Sequence, residues 1–135
     1  MRTLLALSLS LLCVPPLRAD PIVIGHAELK TLDRVSLQRI YTGKMVELNG
    51  LRVTPVDLRA GSALRRRFLE LYLDQDEDGY IGYWTVRRYV GKGTPPREFD
   101  DAEAVIQYVI QTRGAIGYVD ETDLKSGLNV LSTPP

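Results

Sequence analysis

The segment from Asp57 to Ser62 carries the residues of this chain best suited to holding an anion. A predicted strand ends at Asp57, a short loop contains Arg59, and Ser62 can cap the helix that follows. The first turn of a helix exposes backbone N–H groups without helical partners, and these groups attract phosphate or sulfate. An arginine beside them adds bidentate, charge-assisted hydrogen bonds. We therefore predict an oxyanion site at Arg59 and Ser62.

The same turn has a simpler interpretation as an ordinary helix start. Arg65, Arg66 and Arg67 fall in the first turn of the predicted helix, where positive charge opposes the helix dipole. In this interpretation the arginines are solvated and Arg66 pairs with Glu70 four residues later. An anion bound ahead of Ser62 would instead relieve the repulsion. The residues leave both interpretations open.

An acidic run between two predicted helices resembles the first half of a calcium-binding loop. In the EF-hand pattern, Asp74, Asp76 and Asp78 would take positions 1, 3 and 5, with glycine at position 6. Position 12, which a bidentate glutamate occupies in that loop, is Thr85. The other interpretation is that these side chains cap and solvate a junction between helices. Calcium at the three aspartates is kept as the alternative, and no other metal site is predicted.

The motifs of the chain give no support to covalent or redox chemistry. His26 is the single histidine and lies just past a predicted strand, where an imidazole is usually packed and hydrogen-bonded. The sequence contains no Gly-x-Ser-x-Gly, His-x-x-x-His or Walker pattern. Residues 91–94 have the residue types of a phosphate loop at the wrong spacing, and two prolines follow them. We predict that the protein is not an enzyme and needs no cofactor.

The first 19 residues have the pattern of a secretory signal peptide. Arg2 supplies the positive start, Leu4–Leu12 the apolar stretch, and Leu17-Arg18-Ala19 a cleavage site. The apolar stretch is shorter than the roughly 20 residues of a membrane-spanning helix. We predict a signal peptide at 1–19, a periplasmic location, and one domain at 20–135.

Cleavage would change the composition in ways that exclude several kinds of site and partner. Removing residues 1–19 removes two arginines, which leaves 15 of the 17 basic residues against all 17 acidic ones. Cys13, the single cysteine, is also lost. Disulfides, thiolate metal sites and thiol nucleophiles are thereby excluded. A slightly acidic domain lacks the basic face on which nucleic-acid binding depends, so we predict no nucleic-acid partner.

Apolar patterning predicts strands that alternate with helices. The predicted strands are Pro21–Gly25, Leu51–Asp57, Ala115–Val119 and Leu128–Leu131, and the predicted helices are Asp33–Tyr41 (capped by Ser36), Ser62–Leu73, Tyr80–Tyr89 and Ala102–Gln111 (capped by Asp100). We expect Trp84 and the tyrosines at 80, 83 and 89 to pack in the core or at a hinge. The alternation predicts an α/β domain with a largely buried sheet.

Four short sequence segments occur one after another along the predicted mature chain. They are Ile40-Tyr41-Thr42-Gly43-Lys44; Arg59 and Ser62 before Arg65 and Phe68; Tyr83-Trp84 with Gly91-Lys92-Gly93-Thr94-Pro95-Pro96; and Thr112-Arg113-Gly114-Ala115-Ile116-Gly117-Tyr118-Val119. This ordered set resembles the substrate-binding protein of the bacterial phosphate ABC transporter, in its short single-domain version.

The resemblance implies a single small three-layer α/β domain like one lobe of a type II periplasmic binding protein. In that family an oxyanion is held by helix N-termini, serine or threonine hydroxyls and an arginine. The matching positions here are Arg59 and Ser62. Ser62 is followed by Ala63 and Leu64, where the family continues its Ser-Gly-Thr turn.

Two functions follow as hypotheses. The first is a periplasmic solute-binding-like protein that binds phosphate or a related oxyanion through Arg59 and Ser62, for transport or sensing. The second is an interaction module that keeps the fold, has lost ligand binding and serves a membrane transporter or sensor. Charge-assisted hydrogen bonds contribute about 1.5–3 kcal/mol each, whereas immobilising a ligand costs about 4–15 kcal/mol. A half-cleft would therefore bind phosphate weakly, and tighter binding would need a second surface from another copy or a partner.

Overall fold

The computed structural model describes Leu12 and residues 20–135, so the predicted signal peptide lies outside the described residues apart from Leu12. The strands are β1 (Pro21–Gly25), β2 (Glu47–Leu48), β3 (Leu51–Arg52), β4 (Thr54–Leu58), β5 (Arg97–Phe99), β6 (Ala115–Asp120) and β7 (Asn129–Ser132). The helices are α1 (Arg34–Tyr41), α2 (Ala63–Phe68), α3 (Glu77–Tyr89) and α4 (Ala102–Gln111), with a π-helical segment at Leu69–Leu73 and a 3₁₀ turn at Glu121–Asp123. Within the described residues, no helix is both long and apolar enough to cross a bilayer.

Five strands form one mixed sheet in the order β5-β4-β6-β1-β7. β4 lies parallel to β5 and β6, whereas β1 lies antiparallel to β6 and β7. β2 and β3 form a separate antiparallel hairpin. The apolar strands β1 and β6 lie next to each other inside the sheet and are buried on both faces. The predicted α/β class with a buried sheet is confirmed.

Helices cover both faces of the sheet. Gly117 and Tyr118 are neighbours in β6 and therefore face opposite sides. On one side, Val105 and Val109 of α4 fill the space that a side chain at Gly117 would need. On the other side, the Tyr118 ring stacks on Phe68 of α2, with 3.9 Å between the ring centroids. The predicted three-layer arrangement is confirmed.

Aromatic side chains fill the layer between the sheet and the helices α1 and α2. The rings of Tyr41 and Phe68 meet edge to face, with 4.8 Å between their centroids. The Tyr41 hydroxyl donates to the carbonyl of Val56 at 2.9 Å, and the Tyr72 hydroxyl donates to the carbonyl of Pro21 at 2.9 Å. Burial raises the pKa of Tyr72 to about 12. These hydrogen bonds join the helical layer to β4 and β1 and satisfy the buried hydroxyls.

The aromatic residues of α3 divide between core and surface. Tyr80 and Trp84 are buried, as expected, and Tyr83 is half-buried. The Tyr83 hydroxyl donates to the carbonyl of Thr42 at 2.7 Å and thereby joins α3 to the end of α1. Tyr89 is 91% exposed. The expectation that it packs in the core or at a hinge is wrong, because it lies in the last turn of α3, on the side facing away from Trp84.

Two helix caps differ from the predicted ones, and α3 begins at Glu77, three residues before the predicted start. α1 is capped by Asp33, whose carboxylate accepts from the amide of Ser36 at 2.7 Å, so the predicted cap at Ser36 is wrong. α4 is capped by Asp101, whose carboxylate accepts from the amide of Ala104 at 2.9 Å, so the predicted cap at Asp100 is wrong. In both helices an aspartate satisfies the amide three residues later, which is the usual geometry of an N-cap.

The strand predicted over Leu51–Asp57 is divided into β3 and β4 by Val53. β3 pairs with β2 in the hairpin, whereas β4 belongs to the main sheet. Gly114 lies at this division, with its carbonyl accepting from the Thr54 amide at 2.9 Å. Its φ of +78° and its close approach to the carbonyl of Arg52 leave no room for a side chain. β5, a strand of three residues, was not predicted from the sequence.

Candidate functional site

The turn after β4 holds Arg59 and Ser62, the two residues predicted to bind an anion. The backbone N–H of Arg59 donates to the carbonyl of Phe99 at 3.0 Å, which ties the turn to β5. The amide of Ser62 donates to the carbonyl of Arg59 at 3.3 Å, which closes the turn. The Arg59 side chain is exposed and makes no hydrogen bond or ion pair to residues 20–135. Its guanidinium is therefore available to a ligand.

Ser62 caps α2, as the sequence analysis predicted. Its Oγ accepts from the amide of Arg65 at 3.0 Å. The amides of Ala63 and Leu64 have no acceptor within residues 20–135, as is usual for the first residues of a helix. α2 continues directly into the π-helical segment at Leu69–Leu73. The turn thus keeps two backbone donors beside the exposed arginine.

Two backbone amides of the turn, those of Ala60 and Gly61, already donate to carboxylates of the protein. The amide of Ala60 donates to Oε1 of Glu98 at 3.2 Å, and the amide of Gly61 donates to Oε1 of Glu77 at 3.0 Å. Glu98 comes from β5 and Glu77 from the first turn of α3. A carboxylate accepts the same N–H hydrogen bonds that a phosphate would accept. The chain itself therefore fills part of the anion site.

Arg65 binds the same two carboxylates from inside the fold. Its Nε donates to Oε2 of Glu77 at 3.0 Å, and its Nη1 donates to Oε1 of Glu98 at 2.6 Å. Nη1 also donates to the carbonyl of Leu58 at 2.9 Å. The side chain is 4% exposed, and its guanidinium lies 5.2 Å from the centre of the Tyr80 ring. The expectation that Arg65 is solvated is wrong, because carboxylates on two other elements compensate its charge on burial.

Asp57 is the third carboxylate around Arg65 and is 1% exposed. Its Oδ1 accepts from the Tyr118 hydroxyl, and its Oδ2 accepts from the Tyr80 hydroxyl at 2.8 Å. Oδ2 also lies 3.8 Å from Nη1 of Arg65. Burial raises the pKa of Asp57 above its usual value, while Arg65 and the two hydroxyls act in the opposite direction. Burial beside Asp57 also raises the pKa of both tyrosines, so they remain hydrogen-bond donors.

Asp57, Arg65, Glu77 and Glu98 are called the Arg65 cluster from here on. With every group ionised, the cluster combines one positive with three negative side chains. Two like charges about 4 Å apart repel by about 1 kcal/mol in bulk water and by about 4 kcal/mol near a protein surface. The Arg65 cluster therefore opposes the approach of a phosphate dianion to the turn.

The three aspartates of the calcium alternative lie at helix ends. Asp74 follows the π-helical segment with a left-handed φ of +54°. Asp76 caps α3 by accepting from the amide of Gly79 at 2.7 Å, and Asp78 lies in the first turn of α3. Positions 4 to 12 of the EF-hand pattern thus fall within a helix instead of a loop. Among the described residues, no three His, Cys, Asp or Glu side chains are grouped to hold a metal ion.

His26 and Arg67 each lie close to a carboxylate a few residues away. Nδ1 of His26 lies 3.3 Å from a carboxylate oxygen of Glu28. Glu70 pairs with Arg67, whose Nη1 lies 3.5 Å from Oε2, so the predicted pair between Arg66 and Glu70 is wrong. The three-residue spacing brings these two side chains together as well as a four-residue spacing would.

Three solved structures share this arrangement of helices and strands. The chain aligns with an ABC-type phosphate transport receptor from Vibrio cholerae at 13% identity and a TM-score of 0.65, over 84% of this chain and 46% of that one. A putative phosphate ABC transporter substrate-binding protein from Clostridium perfringens, solved with bound phosphate, gives 20% identity, a TM-score of 0.66, and coverage of 84% and 44%. PstS from Borrelia burgdorferi gives 14% identity, a TM-score of 0.62, and coverage of 84% and 47%. The chain shares their fold.

The similarity to these structures is one of fold and of partial length. No protein-family model and no curated protein matches the chain. The chain spans less than half the length of each of the three structures. The predicted resemblance to phosphate-transporter binding proteins is therefore confirmed at the level of the fold.

Arg65, Glu77 and Glu98 are the site residues that the sequence analysis missed. Arg65 did carry a signal, because it precedes the buried Phe68 and Tyr72 by three and seven residues and so shares their helix face. Glu77 and Glu98 carried no comparable signal. They reach the turn from 16 and 38 residues further along the chain, and only the tertiary fold brings them there.

Proposed function

We propose that the protein is a periplasmic solute-binding-like protein that binds phosphate or a related oxyanion weakly at the turn after β4. The proposal rests on one arrangement: Ser62 caps α2, the amides of Ala63 and Leu64 keep no acceptor within residues 20–135, and Arg59 is exposed on the same turn. A tetrahedral anion can accept from both amides and from the guanidinium.

The shared fold supports the same class of ligand. One of the solved neighbours holds bound phosphate, and all three belong to phosphate transport systems. By the same reasoning we propose that a membrane transporter or sensor is the partner that receives the loaded protein. A second copy of the chain could supply the surface that would close over the anion.

Weak binding follows from the Arg65 cluster. Glu98 and Glu77 already occupy the amides of Ala60 and Gly61, and the cluster carries a net negative charge. At about 1.5–3 kcal/mol each, two or three remaining charge-assisted hydrogen bonds exceed the lowest cost of immobilising a ligand, about 4 kcal/mol, by a few kcal/mol at most. We expect a dissociation constant on the order of 1 mM, which corresponds to about −4 kcal/mol.

The Arg65 cluster also favours a second function, an interaction module that no longer captures free anions. In that case Glu77 and Glu98 serve as permanent internal substitutes for the anion, and the fold presents its surface to a membrane or signalling partner. A module that binds no anion still has to compensate the charge of the buried Arg65. Glu77 and Glu98 do so from within the chain, and they also accept from the turn amides.

Titration calorimetry with phosphate and with sulfate separates the two functions. If the turn binds anions, Arg59→Ala weakens phosphate binding at least about tenfold, the loss of one charge-assisted interaction. Its melting temperature should not change, because the side chain is exposed. Arg66→Ala, another exposed arginine nearby, is the matched control and should bind like wild type. If neither anion gives heat at protein concentrations that detect millimolar binding, the interaction module is favoured instead.

The inhibitory effect of the Arg65 cluster can be measured in the same titration. Glu98→Gln keeps an oxygen acceptor for Ala60 and removes one negative charge beside the turn. We expect phosphate to bind about five to ten times more tightly, which corresponds to about 1–1.4 kcal/mol of relieved repulsion. Glu121→Gln changes the net charge equally at an exposed site away from the turn. If both variants shift the affinity alike, the local repulsion is contradicted.

A further inference from the structure

A cavity of about 250 Å³ opens beside the Arg65 cluster, between α3 and the segment that leads into β5. Its lining combines aromatic, aliphatic and charged side chains: Asp57, Arg65, Tyr80, Ile81, Trp84, Thr85, Arg88, Pro95, Pro96 and Glu98. Arg59 and Ser62 are not among these residues, so the cavity is a different site from the proposed oxyanion turn. Its volume lies just below the range for drug-sized ligands, which favours a molecule no larger than a single amino acid.

The buried Arg65 provides one unused hydrogen-bond donor at this cavity. Its Nε and Nη1 are committed to Glu77, Glu98 and the carbonyl of Leu58. Its Nη2 has no acceptor within residues 20–135, although the side chain is 4% exposed and lines the cavity. Nη2 is not fully buried, so it can donate to an oxygen acceptor in the cavity.

The aromatic walls of the cavity are held in place by hydrogen bonds. Trp84 donates from its indole nitrogen to the carbonyl of Tyr41 at 3.2 Å, and the Tyr80 hydroxyl donates to Asp57 at 2.8 Å. Pro95 and Pro96 form the opposite wall and have few backbone conformations to lose. Such a preorganised apolar wall suits an aliphatic or aromatic group and costs little entropy on binding.

Side chains of opposite charge, Arg88 and Glu98, line the cavity. Arg88 is exposed and makes no ion pair within residues 20–135. Glu98 uses Oε1 for its contacts with Ala60 and Arg65, which leaves Oε2 without a donor in the described chain. A purely anionic ligand would add to the negative charge of the Arg65 cluster. A ligand with one positive and one negative group would leave the net charge unchanged and could pair with both Glu98 and Arg88.

We propose that this cavity binds a small zwitterion of the amino-acid class with an apolar side chain. Its carboxylate accepts from Nη2 of Arg65 and from Arg88, its ammonium donates to Oε2 of Glu98, and its side chain packs against Trp84 and the two prolines. The proposal does not depend on oxyanion binding at the turn, since neither Arg59 nor Ser62 takes part.

L-leucine and L-phenylalanine are suitable probes, with calorimetry for affinity and fluorescence for location. Trp84 is the single tryptophan of the chain, so a change in its emission reports directly on the cavity. We expect saturable binding of both amino acids with a shift of the emission. N-acetyl-leucine, which lacks the ammonium, and leucinamide, which lacks the carboxylate, should each bind at least about tenfold more weakly. Equal binding of all three leucine compounds, or no binding of either amino acid at tens of millimolar, would overturn the proposal.

Two variants test the location without disturbing the Arg65 cluster. Arg88→Ala should weaken leucine binding at least about tenfold, and Thr85→Phe should abolish it by filling the cavity. Val86→Phe is the matched control, because Val86 is 63% exposed on the same helix and does not line the cavity. Arg59→Ala should leave leucine binding unchanged. Leucine binding that survives Thr85→Phe would place the ligand elsewhere and refute the proposal, whatever the outcome with phosphate.

Discussion

Arg65 remains buried and charged because groups from three other elements surround its guanidinium. β4 supplies Asp57, α3 supplies Glu77 and β5 supplies Glu98. An intact buried ion pair contributes little to the stability of a protein, but removing one of its partners commonly costs about 3–5 kcal/mol of folding free energy. The Arg65 cluster therefore holds the edge strand β5 and the start of α3 against the turn, and it sets which ligands the turn can accept.

Asp57 should give the folded protein a measurable pH dependence. Burial raises its pKa above the ordinary value of 3.8, so the folded chain holds this proton more tightly than the unfolded chain. The free energy of unfolding therefore falls as the pH rises through the window that begins near 3.8 and ends at the raised pKa. Asp57→Asn removes the titration. The stability of wild type relative to this variant should thus decrease with rising pH.

Urea denaturation of both proteins between about pH 4 and about pH 7 measures that difference. All other carboxylates are shared, so their contributions cancel when the two curves are subtracted. Curves that stay parallel over the whole range would show that Asp57 titrates alike in the folded and unfolded chains.

Residue types at the site could be predicted from the sequence only where the contacts are local. Ser62 caps α2 as its spacing indicated, since the amide that it accepts from is three residues away. The burial of Arg65 was missed because arginines are usually exposed, and that expectation outweighed its position on the inward face of α2. Glu98 could not have been found, because its partners lie on another element.

Three residues, Asp74 to Asp76, connect the π-helical segment to α3, so one helix ends and the next begins within a short connection. Asp74 adopts the left-handed conformation that closes the segment, and Asp76 caps α3. Both positions suit aspartate, whose short side chain accepts from nearby amides and tolerates positive φ. Two helix ends therefore account for Asp74 and Asp76.

Asp76→Ala should lower the stability of the protein by about 1 kcal/mol, because the amide of Gly79 loses its acceptor. Asp78→Ala is the matched control, since this residue lies in the same helical turn and makes no capping hydrogen bond. Chemical denaturation of both variants, with and without calcium, gives the comparison. A melting temperature of wild type that rises with calcium would restore the metal hypothesis for this run.

Replacing Gly114 by alanine should destabilise the protein much more than the same replacement at Gly50, which has a similar backbone conformation. Its φ is +78° and that of Gly50 is +82°, so alanine is strained at both positions. Only at Gly114 would the new methyl group meet backbone, the carbonyl of Arg52, whereas nothing lies within 4 Å at Gly50. We expect Gly114→Ala to lose at least about 2 kcal/mol more stability than Gly50→Ala. Equal losses in urea denaturation would mean that the β3–β4 division can shift to make room.

The elements themselves were predictable where a pattern of neighbouring residues defines them. β1, α4 and β6 have the apolar sequences expected of them, and their bounds agree closely with the prediction. β5 was missed because its three residues pair with β4, about 40 residues earlier, and carry no periodicity of their own. The split between β3 and β4 depends on the hairpin partner and on Gly114, which lie elsewhere in the sequence.

At the scale of the whole molecule, the chain corresponds to one lobe of proteins about twice its length. We propose that residues 1–19 are removed on export, as their pattern predicts. The amide of Glu121 donates to the carbonyl of Asp20 at 3.0 Å, so cleavage after Ala19 would leave this contact and β1 intact. Mass spectrometry of the protein from a periplasmic extract should give the mass of residues 20–135. Recovery of the uncleaved mass would contradict a signal peptide.

The position of β1 in the sheet has a consequence for biogenesis. β1 is the first strand described, yet its two hydrogen-bonded neighbours are β6 and β7, some 90 to 110 residues later. The sheet therefore cannot close while the ribosome still covers the last strands, and the nascent polypeptide is kept from folding early. A translocation channel that accepts only unfolded chains would receive this protein in a state suited to passage.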